Sequence, residues 1–540
     1  MRLRFLSGPV ILSLIAVILS SNPIFAFDAD EDVRLLEKAK KSEESGAYSR
    51  AANFYAEYLR KNRDDLEIRE SYNRMVRKQQ QLIRLQNDQY RKIVVALRPS
   101  QVVDLFIHIA EVLSSNYVEA DRARPEILFH HATEEVLLLL KTPKMLAPIL
   151  GTMNLEGAKT IEQRILEMRK LPIQTHSELR ETMIELLGEV RNSGWAENTT
   201  RACNLVILEC ANGACHGLDQ FTLLFTPTQK AAADLALAGR QPGVGLSLVP
   251  SGAYYEVSRV IPGSTADEAG ILKGDTVVSI QGVPSSMINP AQAQALLSIQ
   301  AGQEIDLQIQ PSGVTTITDL KLRSRMMLVP SVDWDVINPM NMDPIGVVRI
   351  SSFRDSTTTE FREALVRLQT QGVRGLLVDL RGNPGGAFKS ALTSADLFLD
   401  GGTIVHSEGQ VKEFNKTFSS STGQNPFALP TVIMVDEDTA SSAEILAGAL
   451  QQNGKARIVG NRTRGKGSVQ CLIPIDKAPW DKLPGGVQLT VAKLRLPTGQ
   501  TFDRGIIPDL KVDGDAAAVF NAAKMDLLRH IGKMIEPTDR

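Results

Sequence analysis

The chain has 540 residues, enough for three or four domains. Its 43% hydrophobic and 23% charged residues are ordinary for a globular protein. A net charge of −2 leaves no nucleic-acid footprint, and four cysteines are too few for a disulfide scaffold.

Arg2 and Arg4 precede an apolar run from Phe5 to Leu19, followed by Ser20-Ser21-Asn22-Pro23-Ile24-Phe25-Ala26. This is the layout of a secretory signal, residues 1–26, cut after Ala26. An uncleaved anchor is the second reading, although the run is short for a membrane span. Either way the body is expected to be exported to a periplasmic or other extracytoplasmic site, membrane-associated if the segment is retained.

Residues 27–100 are polar, charged and helical in pattern. Gly46, Tyr48, Ala51, Tyr55 and Leu59 resemble one tetratricopeptide helix pair, with small residues at close approach and aromatics between helices. A single such unit cannot bury its own face, so it belongs to an array or packs on a neighbour, the second being favoured. Ser71 to Leu97 reads as one long basic, Gln-rich helix with a solvated face. These helices are candidates for self-association or for recruiting an adaptor. Residues 101–230 are again helical: Gln101 to Leu113 and Ile127 to Leu140 are apolar at helical spacing, and Thr160 to Arg191 is amphipathic. Cys203, Cys210, Cys215 and His216 invite a metal reading, but their spacing fits no zinc pattern with a paired C-x-x-C. Core cysteines or one disulfide are the alternatives.

Over residues 231–325 the pattern changes to short strands with glycine punctuation. Gly243-Val244-Gly245-Leu246 opens it, Tyr255 to Val260 alternates as a strand, and Glu304 to Gln310 follows an Ala/Gln-rich helix from Pro290 to Ile299. This resembles a PDZ domain of the circularly permuted kind found in bacterial peptidases. A Gly-rich turn can present backbone N–H groups to a free carboxylate while the adjoining strand edge accepts an extended peptide. Gly243 and Gly245 are otherwise plain turn glycines. On the resemblance, Gly243, Val244, Gly245, Leu246 and Leu248 are the peptide-binding candidates, the two leucines lining an apolar pocket.

Residues 326–515 alternate strands and helices, which points to a doubly wound or crotonase-like layer with a mainly parallel sheet. Gly375 to Leu380 is an apolar strand bar Asp379. The glycine-rich loop Arg381-Gly382-Asn383-Pro384-Gly385-Gly386 follows at its carboxyl end, where such sheets place active sites. Thr431 to Val435 reads as a buried strand. After the turn 436–439, Ile445, Leu446, Ala449 and Leu450 repeat at helical spacing up to the stop at Asn453-Gly454. Ser441 therefore sits at a helix N-terminus, where backbone N–H groups favour developing negative charge. With Glu444 it also satisfies a capping box, the bland reading of the same residue. The second reading comes from Lys466 in the turn Gly465-Lys466-Gly467. A serine needs a base to attack a carbonyl, and a lysine serves once burial and like charges (Arg462, Arg464) lower its pKa. Gln470, about 13 Å further along a regular strand and on the same face, is a plausible orienter of the amine. Residues 516–540 are expected to form a C-terminal helix.

Ser441-Ser442-Ala443-Glu444-Ile445-Leu446-Ala447-Gly448 with Gly465-Lys466-Gly467-Ser468-Val469-Gln470 resembles the C-terminal processing (tail-specific) peptidases. Leu218-Asp219-Gln220-Phe221-Thr222, Gln488 to Gly499 and Gly505-Ile506-Ile507-Pro508-Asp509 extend the likeness over about residues 218 to 512. The resemblance implies Ser441 as nucleophile, Lys466 as base, Gln470 in support, and the Gly386 and Ser442 N–H groups as the oxyanion hole. With the helical patterning of residues 27–230, the chain is expected to have an N-terminal all-α region, a PDZ-like β-rich domain and an α/β crotonase/ClpP-like peptidase core. The resemblance implies no metal or organic cofactor, and protein or peptide substrates with apolar C-termini. Two departures stand out: the family usually has Ser-Ala-Ser-Glu where this chain has Ser441-Ser442-Ala443-Glu444, and Phe or Tyr at Arg464. The competing readings are a catalytically silent exported scaffold and a crotonase-like acyl-CoA enzyme. A Ser/His/Asp hydrolase is weaker, with His406 the one histidine to check.

Overall fold

The computed structural model describes residues 29–535 apart from 253, 289, 298, 340–342, 424–426 and 476–484; the expected signal, residues 1–26, lies outside the described residues. It opens with helices α1 (Ala29–Glu44), α2 (Tyr48–Lys61), α3 (Leu66–Gln86) and α4 (Asp88–Ala96). Ala39, Ala51 and Ala52 let the first helices approach closely, and Tyr55 and Met75 fill the space between them. This small core cannot support the unit alone, so the hairpin leans on its neighbours.

The expected single helix from Ser71 to Leu97 is two. Asn87 interrupts it and caps α4, its Oδ1 accepting the Tyr90 N–H at 3.0 Å. Nor is its polar face solvated throughout, because α5 (Pro99–Asn116), α6 (Pro125–Leu139), α7 (Pro143–Leu150), α8 (Leu155–Met168), α9 (His176–Asn192) and α10 (Thr199–His216) form a bundle beneath it. Arg84 points into that bundle. Its Nη2 lies 2.7 Å from both Glu135 on α6 and Glu209 on α10, two fully buried carboxylates. Gln81 and the Tyr90 hydroxyl donate to the same group. Burial pushes Glu135 up to about 7, against the pull of Arg84. The expected amphipathic stretch from Thr160 to Arg191 is likewise broken, at Pro172, which cannot continue a helix. Cys203, Cys210 and Cys215 lie buried and unpaired along α10, so the disulfide reading is not realised.

A short strand β1 (Leu223–Phe225) and helix α11 (Pro227–Leu237) lead to β2 (Arg240–Gly243) and the small β domain. That domain comprises β3 (Leu246–Ser251), β4 (Tyr254–Val260), α12 (Thr265–Glu268), β5 (Thr276–Ile280), β6 (Val283–Pro284), α13 (Pro290–Leu297), β7 (Glu304–Gln310) and β8 (Thr318–Arg323). Its sheet runs β3-β4-β5-β7-β8, leaving β3 on one edge. The chain leaves by β9 (Arg325–Leu328), which pairs antiparallel with β2. Two adjacent strands are thus both the entrance and the exit of the domain.

The remaining elements are β10 (Val332–Ile337), β11 (Ile345–Ile350), α14 (Thr357–Thr370), β12 (Gly375–Asp379), α15 (Phe388–Asp396), β13 (Thr403–Glu408), β14 (Lys416–Ser419), β15 (Thr431–Val435), α16 (Ser442–Gln452), β16 (Arg457–Gly460), β17 (Ser468–Ile475), β18 (Gly485–Arg495), β19 (Leu510–Lys511) and α17 (Ala516–Ile535). One sheet runs β10-β11-β12-β15-β16-β19, parallel from β11 onward. Its strands are apolar on both faces because both are covered. Leu376, Val378, Ile433 and Val435 face α14, α15 and α16, whereas Leu377, Val432 and Met434 meet α17. A second sheet carries β1, β18, β13 and β14, with β17 also on β18. Val487, Leu489 and Val491 of β18 join the core of the helical bundle, while Leu494 joins that of the parallel sheet, so one strand serves two cores.

Arg84→Met should lower stability by about 3–5 kcal/mol, since it leaves two buried carboxylates without their cation; a thermal melt of the whole chain measures this. The native chain takes up a proton at Glu135 on folding between its ordinary 4.5 and about 7. The stability from that proton is therefore full below the first value and lost as pH rises through the second.

Candidate active site

The candidate residues converge at the carboxyl ends of β12 and β15, where two loops lie face to face. After β12, buried Asn383 shapes the glycine-rich loop. Its Nδ2 donates to Ile350 O at 2.7 Å and its Oδ1 accepts Gly385 N–H at 2.9 Å. Asn383 O accepts the Ala440 N–H at 2.9 Å, which fastens this loop to the turn before α16. Gly386 sits at φ 139°, and a Cβ there would lie 1.9 Å from Phe353 O, so no other residue fits. The Ser442 hydroxyl donates to Gly386 O at 3.0 Å. The two residues expected to supply the oxyanion hole are therefore neighbours.

Ser441 adopts φ 56° and ψ −116°, a region a non-glycine residue occupies at a cost of about 1–3 kcal/mol. An ordinary N-cap serine is extended and accepts from the helix with its hydroxyl. Ser441 does neither: its hydroxyl makes no capping hydrogen bond, while its N–H donates to Glu444 Oε2 at 2.7 Å. The Glu444 carboxylate supplies its half of the expected capping box through this contact.

Glu444 is fully buried and ties the site together. Besides Ser441 N–H, it accepts Lys466 N–H at 2.9 Å, Gly465 N–H at 2.8 Å and the Thr463 hydroxyl. Burial raises its pKa, and the four donors oppose that rise. The sequence marked Glu444 only as a cap and motif residue; its grip on the lysine loop depends on the two strands being parallel neighbours.

Lys466 is half-buried, and burial first, then Arg464, hold its pKa below the usual lysine value, against the pull of Asp219 and Glu444. Its Nζ lies 4.3 Å from the centroid of the Phe221 ring. This contact favours the charged amine and so works against burial. Asp219 accepts the Phe221 and Thr222 N–H groups at 2.7 Å each, and Gln488 holds Phe221 O, so the ring is fixed. The Leu218-to-Thr222 segment was the available signal for Phe221, but only the fold brings it to the lysine.

Gln470 is not on a regular strand with Lys466. β17 begins at Ser468, and its pairing with β18 shifts between Val469 and Gln470, an irregularity that breaks the expected common face. The Gln470 Nε2 donates to Ser468 Oγ at 2.8 Å and Thr490 Oγ1 at 3.3 Å. His406 bonds Thr417 on β14.

In the small β domain, Gly243 lies in the β2–β9 ribbon and Val244 is buried. Gly245, at φ 92°, leaves no room for a Cβ beside Ser264. Leu246 and Leu248, on edge strand β3, are half-buried against the domain core. A cavity of about 670 Å³ opens between this domain and β10, lined by residues including Ser247, Arg259, Leu272, Lys273 and Asp333. No candidate catalytic residue lines it. Arg259 and Asp333 pair across the same junction at 2.9 Å.

Glu444→Gln would set an amide NH₂ against N–H donors; we expect about 1–3 kcal/mol lost by thermal melt and peptidase activity lowered with it.

Residues 344–512 match peptidase family S41, and residues 256–311 match the PDZ domain. A carboxyl-terminal-processing protease of Picosynechococcus sp. is 33% identical over 294 residues, 54% of this chain and 69% of its own length. One of Synechocystis sp. is 30% identical over 301 residues, 55% of this chain and 68% of its own. A solved photosystem II D1 C-terminal processing protease aligns over 79% of this chain and 98% of its own, at 22% identity and a TM-score of 0.41. The chain belongs to the carboxyl-terminal-processing proteases, serine-type peptidases of family S41 that here carry a PDZ domain.

Proposed function

We propose that the protein is an exported endopeptidase that cleaves protein substrates near their carboxyl ends through a Ser441/Lys466 dyad. The observation that carries this reading is the buried Glu444 carboxylate, which binds the backbone N–H groups of both residues beside the Gly386 loop. Neutral Lys466 takes the Ser441 proton as the hydroxyl attacks the scissile carbonyl. The Gly386 and Ser442 N–H groups then stabilise the oxyanion, each worth about 3–4 kcal/mol on the mutational scale. The ammonium returns its proton to the departing amine, leaving an ester on Ser441. Water, activated by the same amine, hydrolyses it.

The position of Lys466 over Phe221 suits a resting enzyme. Turnover requires the amine to swing to Ser441, and Gln470 to leave Ser468 and Thr490 to support it. Edge strand β3 suits the addition of an extended substrate tail with an apolar end, steadied by Leu246 and Leu248. Export, to the periplasm or another extracytoplasmic space, rests on the amino-terminal signal layout.

Cleavage of an unfolded test protein with an apolar carboxyl terminus by the native chain should be abolished by Ser441→Ala and by Lys466→Ala; equal cleavage by the native chain and both variants would overturn the dyad. The pH–rate profile should rise along an acid limb with its midpoint below that of ordinary lysine. Arg464→Ala removes a like charge and should move the midpoint upward. Leu246→Ala or Leu248→Ala should weaken tail-peptide binding to the Ser441→Ala protein, read by fluorescence anisotropy; unchanged affinity would remove β3 from substrate capture.

A further inference from the structure

The turn between α2 and α3 reaches across to the peptidase core. Arg63 Nη1 donates to Thr463 O at 2.7 Å, and its Nη2 to Arg462 O at 3.3 Å. Arg60, at the end of α2, lies 3.5 Å from Asp438, the carboxylate that Arg464 also holds at 2.7 Å. The end of α2 and the turn that follows therefore touch both the loop that ends at Ser441 and the loop that leads to Lys466. The turn is itself well anchored: Asp65 caps α3 by accepting Ile68 N–H at 3.1 Å, and Arg69 donates to Arg63 O.

Thr463 is the joint. Its carbonyl accepts from Arg63, its hydroxyl donates to Glu444, and its N–H bonds Ile506 O at 3.2 Å. Its side chain is fully buried. The path from Arg63 to the lysine is thus a short series of hydrogen bonds: guanidinium to Thr463 carbonyl, Thr463 hydroxyl to Glu444, Glu444 to the Lys466 N–H. The half-buried guanidinium also sits near the like charges of Arg462 and Arg464, with Glu437 and Glu444 as the carboxylates that act against them. Such a crowd of like charges is held only where fixed acceptors offset it, here two carbonyls and the Asp438 carboxylate.

We propose that Arg63 is a positioning residue for Lys466, so that the N-terminal helical hairpin completes the peptidase site within the same chain. This rests on the Ser441/Lys466 reading. Loss of the guanidinium frees the 462–464 segment, and the lysine that follows loses its fixed approach to Ser441. Small misplacements of a reacting group are costly because productive geometry is narrow.

The test compares the full chain with Arg63→Ala, Arg63→Lys, Ser441→Ala and, as a control on the exposed face of α2, Arg50→Ala. Steady-state cleavage of an unfolded protein substrate is measured across pH. Arg63→Ala should lower kcat by at least about tenfold with little change in KM and should move the midpoint of the acid limb. Arg63→Lys, which keeps the charge and a donor, should recover part of kcat, and Arg50→Ala should match the native chain. Amide exchange at Gly465 and Lys466 should quicken in Arg63→Ala while that of α16 does not. If Arg63→Ala fails to fold, Arg63→Gln carries the same expectations. Unchanged kcat and exchange would reduce the contact to a clasp between domains, and a raised kcat would make it an inhibitory latch; either overturns the proposal. Cleavage that persists in Ser441→Ala would instead overturn the dyad, independently of Arg63.

Discussion

One buried carboxylate holds this site in shape. Glu444 lies at the start of α16, inside the parallel-sheet layer, where an unpaired charge would be strongly disfavoured. Four donors satisfy it, and two of them are the N–H groups of Ser441 and Lys466. The same contact that stabilises the carboxylate therefore fixes the distance between two chain segments. It also holds Ser441 in its strained backbone conformation, which no local preference would maintain. The glycine-rich loop then stacks on the turn through Asn383 and Ala440. What is fixed is backbone; the side chains of Lys466 and Gln470 still have other partners.

The surrounding bodies meet this frame at different strengths. The helical bundle is joined to the peptidase core by β18, whose residues sit in two hydrophobic cores. The segment carrying Phe221 is pinned to that strand, and through it the bundle presents an aromatic ring to the lysine. The PDZ domain is attached more lightly, by the β2–β9 ribbon and partly exposed ion pairs such as Arg259–Asp333. Surface pairs of this kind contribute little.

Much of this was legible in the chain itself. Unbroken apolar runs in Gly375 to Leu380 (bar Asp379) and in Thr431 to Val435, a helical period from Ile445 to Leu450, and a glycine-rich loop after a strand sufficed to assign the strand–loop and strand–helix units. Each is a local pattern, and local patterns report which face of an element is apolar. Two features that local pattern does not carry share one cause, a partner supplied by another segment. Arg84 and Gln81 were assigned to water because they are polar, yet their burial depends on Glu135 and Glu209 arriving from other helices. Gln470 was assigned to a regular strand because an irregularity between β17 and β18 is a property of the pair.

By itself, then, the sequence determined the order of the domains, the elements of the peptidase layer and the residue types available for acyl chemistry, because hydrophobic period and glycine placement act over a few residues. Only the tertiary structure decided that Glu444 is the tie between Ser441 and Lys466, that Phe221 lies under the amine, and that Arg63 reaches a loop far along the chain. Those are contacts between segments distant in sequence, set by how whole sheets and helices pack, and no local pattern encodes where a charged side chain will find its partner.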